Sequence, residues 1–131
     1  IGVSRGLGDV YKRQSMWSTH RLYNYIHKVI HIPIVFDYHH HKFCTGGQTE
    51  QEALELAMST WHGVKPVVHY SQDRSVEHND PKIRPQAHSD SYWTAIKTYG
   101  HDIDIMLECK HKEQGLFKMR QLLQESAVVA A

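Results

Sequence analysis

The stretch Ile32-Pro33-Ile34-Val35-Phe36-Asp37-Tyr38-His39-His40-His41-Lys42 decides how the chain is read. Its first half is a short apolar run rich in β-branched residues, which predicts a buried strand. Its second half turns abruptly to a carboxylate and three imidazoles. Such groups are costly at the end of a buried strand unless something pairs with them. A divalent metal is the usual partner, because carboxylate oxygen and neutral imidazole nitrogen are its ligands. Asp37 and His40 are the expected pair. The chain turns just past a strand, so residues three apart can face one point.

Working outward, residues 18–31 carry Leu22, Tyr23, Ile26, Val29 and Ile30 at three- and four-residue spacing, the stripe of an amphipathic helix. Pro33 then stops that helix. His27, beside the stripe, reads as a partly buried structural histidine. On the other side of the His run, Gly46-Gly47 marks a loop and Thr49-Glu50-Gln51-Glu52 a capping box. The helix behind it is expected to reach His62, with Ala53, Leu54, Ala57, Met58 and Trp61 on its apolar face and Gly63 at its end. Residues 65–71 form a second strand with His69 near its end. Residues 72–87 are polar and long for a simple connection, which predicts a functional loop or lid leading to His88-Ser89-Asp90. A short helix is expected over 91–99. The third strand covers 101–108 and ends in Glu108. A last helix spans 112–125 with Leu116, Met119, Leu122 and Leu123 inward, and 126–131 is a tail expected to fray.

The order is therefore α-β-α-β-α-β-α, an α/β chain whose repeated units imply parallel strands joined by right-handed crossovers. Asp37, His69 and Glu108 fall where three successive strands end, and parallel strands bring those ends to one edge. In β/α barrels the chemistry gathers at that edge. The expectation is the C-terminal part, about three β/α units, of a TIM-type (β/α)8 barrel.

Composition sets the limits. The chain has 131 residues, 40% hydrophobic and 22% charged, enough for one modest domain. A net charge of +1 gives no bulk electrostatic support for nucleic-acid binding, so any such reading must rest on sites. Twelve histidines are unusual. Cys44 and Cys109 are isolated, which disfavours a disulfide framework or zinc finger and fits a reducing, cytoplasmic setting. No apolar run is long enough to span a bilayer. Residues 1–14, IGVSRGLGDVYKRQ, resemble a translated sequencing-library adaptor and are set apart, leaving 15–131 as the barrel portion.

The candidate ligands are thus Asp37, His40, His69, His88 and Glu108, with His88 ranked low by spacing alone. Oxygen and nitrogen donors without cysteine favour Mn²⁺, Zn²⁺ or Fe²⁺. His39 and His41 could serve as supporting donors or phosphate contacts, or stand in a solvated loop. Lys110 and Lys112 follow Glu108 where a cation could meet an anionic substrate; for Lys112 a solvated helix start is at least as good a reading. No phosphate-binding glycine loop or serine nucleophile elbow is present in the sequence.

At these residues the chain resembles the UV damage endonucleases. The segments that carry the resemblance are IPIVFDYHHH, EALELAMSTW, KPVVHYSQ, the HSD at 88–90 and YGHDIDIMLECKHKE, in the family's order. The resemblance implies a β/α barrel similar to endonuclease IV and xylose isomerase, a cluster of divalent metals, usually manganese, and incision 5′ to ultraviolet photoproducts in double-stranded DNA. It implies that Asp37 and His40 are an Asp-x-x-His metal pair, that His69 and His88 are further ligands, and that Glu108 bridges metals. Glu108 and His69 are then the residues expected to carry the catalytic step, with His39, His41 and Lys110 as candidate DNA contacts. Two departures stand out. Many relatives have a Lys, thought to be modified and to help hold metal, where this chain has Val67, and the 72–87 segment looks long. The family's upstream ligands and duplex-probing residues do not appear, so the 131 residues alone are expected to be inactive.

Two other classes compete. A xylose-isomerase-like metal enzyme acting on a small sugar shares the strand-end ligands and suits the low net charge, and is separated by substrate. A His-rich metal-binding module without catalysis would tolerate loss of any one of Asp37, His69 or Glu108. No membrane association and no obligate protein partner is expected.

Overall fold

A computed structural model describes residues 17–130; the adaptor-like segment 1–14 lies outside them. Three parallel strands form one sheet in the order β1 (Phe36–Asp37), β2 (Val67–Tyr70) and β3 (Asp104–Leu107). The register pairs Asp37 with His69 and His69 with Met106. Side chains alternate across a strand, so Phe36, Val68 and Ile105 share one face, and Asp37, His69 and Met106 the other. The first face carries the core. Phe36 and Val68 are buried there with Ala53, Leu54 and Ala57 of helix α3 (Glu50–Ser59) and Met119 of helix α5 (Glu113–Ala130). The second face carries the polar rim. Among the described residues no helix is long and apolar enough to cross a membrane.

The capping box at the start of α3 forms as expected. Thr49 Oγ1 accepts from Glu52 N and Glu52 Oε1 accepts from Thr49 N, both at 3.1 Å.

Several expectations are corrected. The first strand is two residues long and does not begin at Ile32. Ile34 N donates to Thr60 Oγ1 and Trp61 Nε1 donates to Ile34 O, both at 2.8 Å. The end of α3 thus takes the backbone groups that a longer strand would have offered to a neighbour. The His run is not an open turn but a helix, α2 (Tyr38–Phe43), capped by Asp37.

Helix α1, residues 19–30, contains a π-helical segment over Tyr23–His27. That wider turn shifts the inward face. His27 is buried, its Nδ1 2.9 Å from Ile32 O, while Val29 and Ile30 of the expected apolar stripe are 68% and 58% exposed.

Residues 91–99 form no helix, because buried Gln72 binds that backbone and its neighbours. Its Oε1 accepts from Trp93 N and its Nε2 donates to Thr94 Oγ1. Tyr92 and Ile96 anchor the segment in the core. Finally, α5 runs through the expected tail to Ala130, and Leu116 and Leu123 face solvent; Met119 is the side chain it buries.

Candidate metal centre

The rim is built by strand ends and by one long loop. His69 leaves β2 on the polar face, and Glu108 follows β3 with its amide bonded to Tyr70 O at 3.0 Å. That bond carries the sheet one step past β3 and fixes where the carboxylate emerges. His69 Nδ1 lies 3.0 Å from Glu108 Oε1, and His88 Nδ1 lies 3.6 Å from Glu108 Oε2. One carboxylate thus has an imidazole on each oxygen, and all three groups are about one-third exposed.

His88 arrives by the 72–87 loop, which is folded and not slack. Asp73 and His88 form an antiparallel bridge, and helix α4 (Arg74–Glu77) lies between them. A polar clasp closes the loop. Glu77 accepts from the amides of Asp90 (2.7 Å) and Ser91 (3.0 Å), while Asp90 pairs with His78 at 2.7 Å and with Arg74. Glu77, His78 and Asp90 form a tight trio of potential metal ligands among the described residues. Both carboxylates already have donors, so the trio reads as a brace that fixes His88. The His78 hydrogen bond, then the nearby Arg74 charge, hold the Asp90 carboxyl below its ordinary value.

Asp37 stands at the sheet level of His69, but its Oδ1 accepts the amides of His39 and His40, both at 2.9 Å, as the N-cap of α2. Its second oxygen is not spent on the helix. His40 is not gathered with the others. Its Nε2 is 2.9 Å from Trp17 O. Helix α2 turns His39 inward instead. His39 is 4% exposed, with its ring 5.7 Å from that of His88 and its Nδ1 3.0 Å from Asp73 Oδ1. Burial holds its pKa down, against the opposing pull of Asp73, which favours the neutral, lone-pair-bearing imidazole. His41 is 6% exposed against Phe36, and burial lowers its pKa as well.

Both rings, expected as candidate DNA contacts, are thus buried among the described residues. Lys110 is exposed beside the rim, its amide bonded to Ser89 O at 3.0 Å. It lines a cavity of about 700 Å³ with His88, Glu108, Lys112, Met106 and Leu116.

The donor set fits a divalent cation. It offers nitrogen and oxygen, no thiolate, and buried polar atoms of His39 and Asp73 that lack hydrogen-bond partners. Asp73 was not legible as a rim residue. It sits four residues past His69 in a polar segment, and only the bridge to His88 turns it inward.

Comparison with known proteins agrees with the topology. The crystal structure of SacUVDE superposes with a TM-score of 0.68 and 26% identity, over 87% of this chain and 38% of that one. The three strands are accordingly part of a TIM-type β/α barrel. A UV DNA damage endonuclease of Bacillus cereus (strain G9842) is 36% identical over 98 residues, 67% of this chain and 29% of that protein. A UV-damage endonuclease of Neurospora crassa is 31% identical over 117 residues, 79% of this chain and 17% of that protein. The chain thus spans less than a third of the length of these curated relatives. The model of the family described as UV-endonuclease UvdE matches residues 13–131, and the chain belongs to that family.

Proposed function

We propose that these residues act, within a complete barrel, in a metal-dependent DNA-repair endonuclease that cuts a phosphodiester bond 5′ to ultraviolet photoproducts. The observation that carries this reading is the convergence of His69 and His88 on the two oxygens of Glu108 at the C-terminal edge of a parallel sheet. Glu108, His69 and His88 would hold the cation, with Asp37 contributing the oxygen that α2 does not use. Mn²⁺ suits this mixture of donors, as do Zn²⁺ and Fe²⁺. When bound, the metal supplies an activated water at neutral pH and stabilises negative charge on the attacked phosphate.

The chain's own residues do the rest. The Glu77–Asp90 brace fixes His88, and the Glu108 amide bond to Tyr70 sets the carboxylate's position. Lys110 and Lys112 offer positive charge beside the cavity, where a DNA backbone would approach. Met106 and Leu116 supply an apolar wall against which an unstacked lesion could rest.

The test is a chimera in which this chain replaces the matching segment of the Bacillus cereus relative. It should nick irradiated supercoiled plasmid in Mn²⁺ and leave unirradiated plasmid intact. A chimera that folds and binds Mn²⁺ yet nicks neither substrate would refute the reading.

A further inference from the structure

The net charge of +1 hides an uneven distribution. No acidic residue occurs between Asp9 and Asp37, whereas from Asp37 onward acids outnumber lysines and arginines. Helix α1 and the two residues before it lie wholly inside that acid-free stretch, and their cations are not scattered. Trp17, Arg21 and Tyr25 follow one another at four-residue spacing, so they share one helical face. The Arg21 guanidinium lies over both rings, 5.4 Å from the centroid of Trp17 and 5.7 Å from that of Tyr25. One turn further on, the Lys28 ammonium lies 5.4 Å from the ring of Tyr23. Arg21, Tyr25 and Lys28 are exposed, Tyr25 to 62%. The core takes Tyr38, Tyr70 and Tyr92 from elsewhere and leaves Tyr25 in solvent. Stacking on rings restricts the guanidinium to one place, so an anion that meets it has less side-chain freedom to freeze out.

This stripe begins at the rim. Gly46, in the loop that follows α2, comes so close to Ser18 that a Cβ there would sit 2.7 Å from Ser18 Oγ. His40 Nε2, three residues past Asp37, lies 2.9 Å from Trp17 O. These two contacts fix the start of α1 beside the His run. From Arg21 to Lys28 the helix rises about 10 Å, the axial length of about three nucleotides of B-DNA. Cations interleaved with aromatic rings form the kind of surface that a nucleic-acid strand recognises.

We propose that the outer face of α1 is a second contact for the DNA, in which Arg21 and Lys28 meet phosphates flanking the incision site while Trp17 and Tyr25 pack against the sugars between them. The inference rests on the DNA-repair reading above and extends it from the rim to the flank. These four residues position the duplex and take no part in breaking the bond.

The experiment is fluorescence anisotropy of a labelled, irradiated duplex titrated with the chain in EDTA over a range of KCl concentrations. Arg21→Gln combined with Lys28→Gln should weaken binding about 10-fold or more at low salt and lower the slope of log K against log salt by about 1.8, the loss of two phosphate contacts. Arg21→Lys should keep the slope and weaken binding a few-fold, because the charge remains and the planar stack is lost. A double variant with the parent's slope overturns the proposal, as does a parent chain with no affinity for the duplex. So does a double variant that keeps its DNA affinity but detaches from phosphatidylserine vesicles, which makes the face a membrane contact. In the Bacillus cereus chimera the double variant should raise KM for irradiated plasmid with kcat little changed. Equal KM removes this face from the enzyme and leaves the rim reading standing. A lowered thermal midpoint with an unchanged KM means that α1 packs there against another helix, and the proposal fails. A chimera that nicks nothing, while the chain still binds duplex through α1, sinks the rim reading alone.

Discussion

The imidazole of His69 stands 3.0 Å from the carboxylate of Glu108, although β2 and β3 are separated by the whole 71–103 segment. Their parallel pairing alone makes them neighbours. Replacing the charge without the shape should therefore isolate the chemistry from the fold. In the Bacillus cereus chimera, Glu108→Gln should lower the nicking rate by about 10²–10³-fold with the thermal midpoint little changed. A rate within a few-fold of the parent would remove Glu108 from the mechanism.

Gly115 lies in α5 where it passes the residue after Glu108. A Cβ placed there would sit 2.2 Å from Cys109 Sγ and 3.2 Å from Tyr92 Cε2. Gly115→Ala should destabilise the fold and, by displacing Cys109, weaken cation binding as well. Adding Cys109→Ala should recover most of the loss, and a double-mutant cycle in urea measures the coupling. Additive single effects would show that the two positions do not touch.

The core prediction concerns Leu54, which is fully buried in α3 under the sheet. Leu54→Ala should cost about 2–5 kcal/mol by equilibrium unfolding. Thr49→Ala removes only the cap of the same helix and should cost about 1 kcal/mol. Equal losses would contradict the packing described.

The loop brace has a pH signature. The Asp90 carboxyl is held below its ordinary 3.8, first by the His78 hydrogen bond and then by Arg74. A depressed carboxyl stabilises the folded form above its unfolded value and stops doing so as pH falls through its folded value. Protection of the 74–90 amides from hydrogen exchange should thus be constant above about pH 4 and decline below pH 3.8. Asp90→Asn should abolish that pH dependence, leaving protection lower throughout. Persistence of the decline in the variant would assign it to another group.

Much of this was readable beforehand because the parallel topology does the gathering. Three apolar runs, each ending in Asp37, His69 or Glu108, were enough to place those residues on one rim. Period-based reasoning failed where tertiary side chains captured backbone groups. Gln72 unmade the helix expected over 91–99, and Thr60 with Trp61 shortened β1. It failed also in the His run. There, consecutive imidazoles in a six-residue helix point in different directions, and no spacing rule says which way the helix is rotated. Hence His39 faces His88 while His40 reaches for Trp17. Asp73 carries no sequence signal at all, since its inward position depends on a bridge to a residue beyond α4.

Both capping bonds of Asp37 fall on one oxygen, which leaves the other for the proposed cation, and that division limits which replacements can be informative. An asparagine there starts a helix as well as aspartate does, but brings no charge. Alanine forfeits both duties at once and would leave the His run without a fixed orientation. A lineage that lost its cation could thus keep Asn at this position and preserve the whole architecture, so a well-ordered rim is no guarantee of a working one.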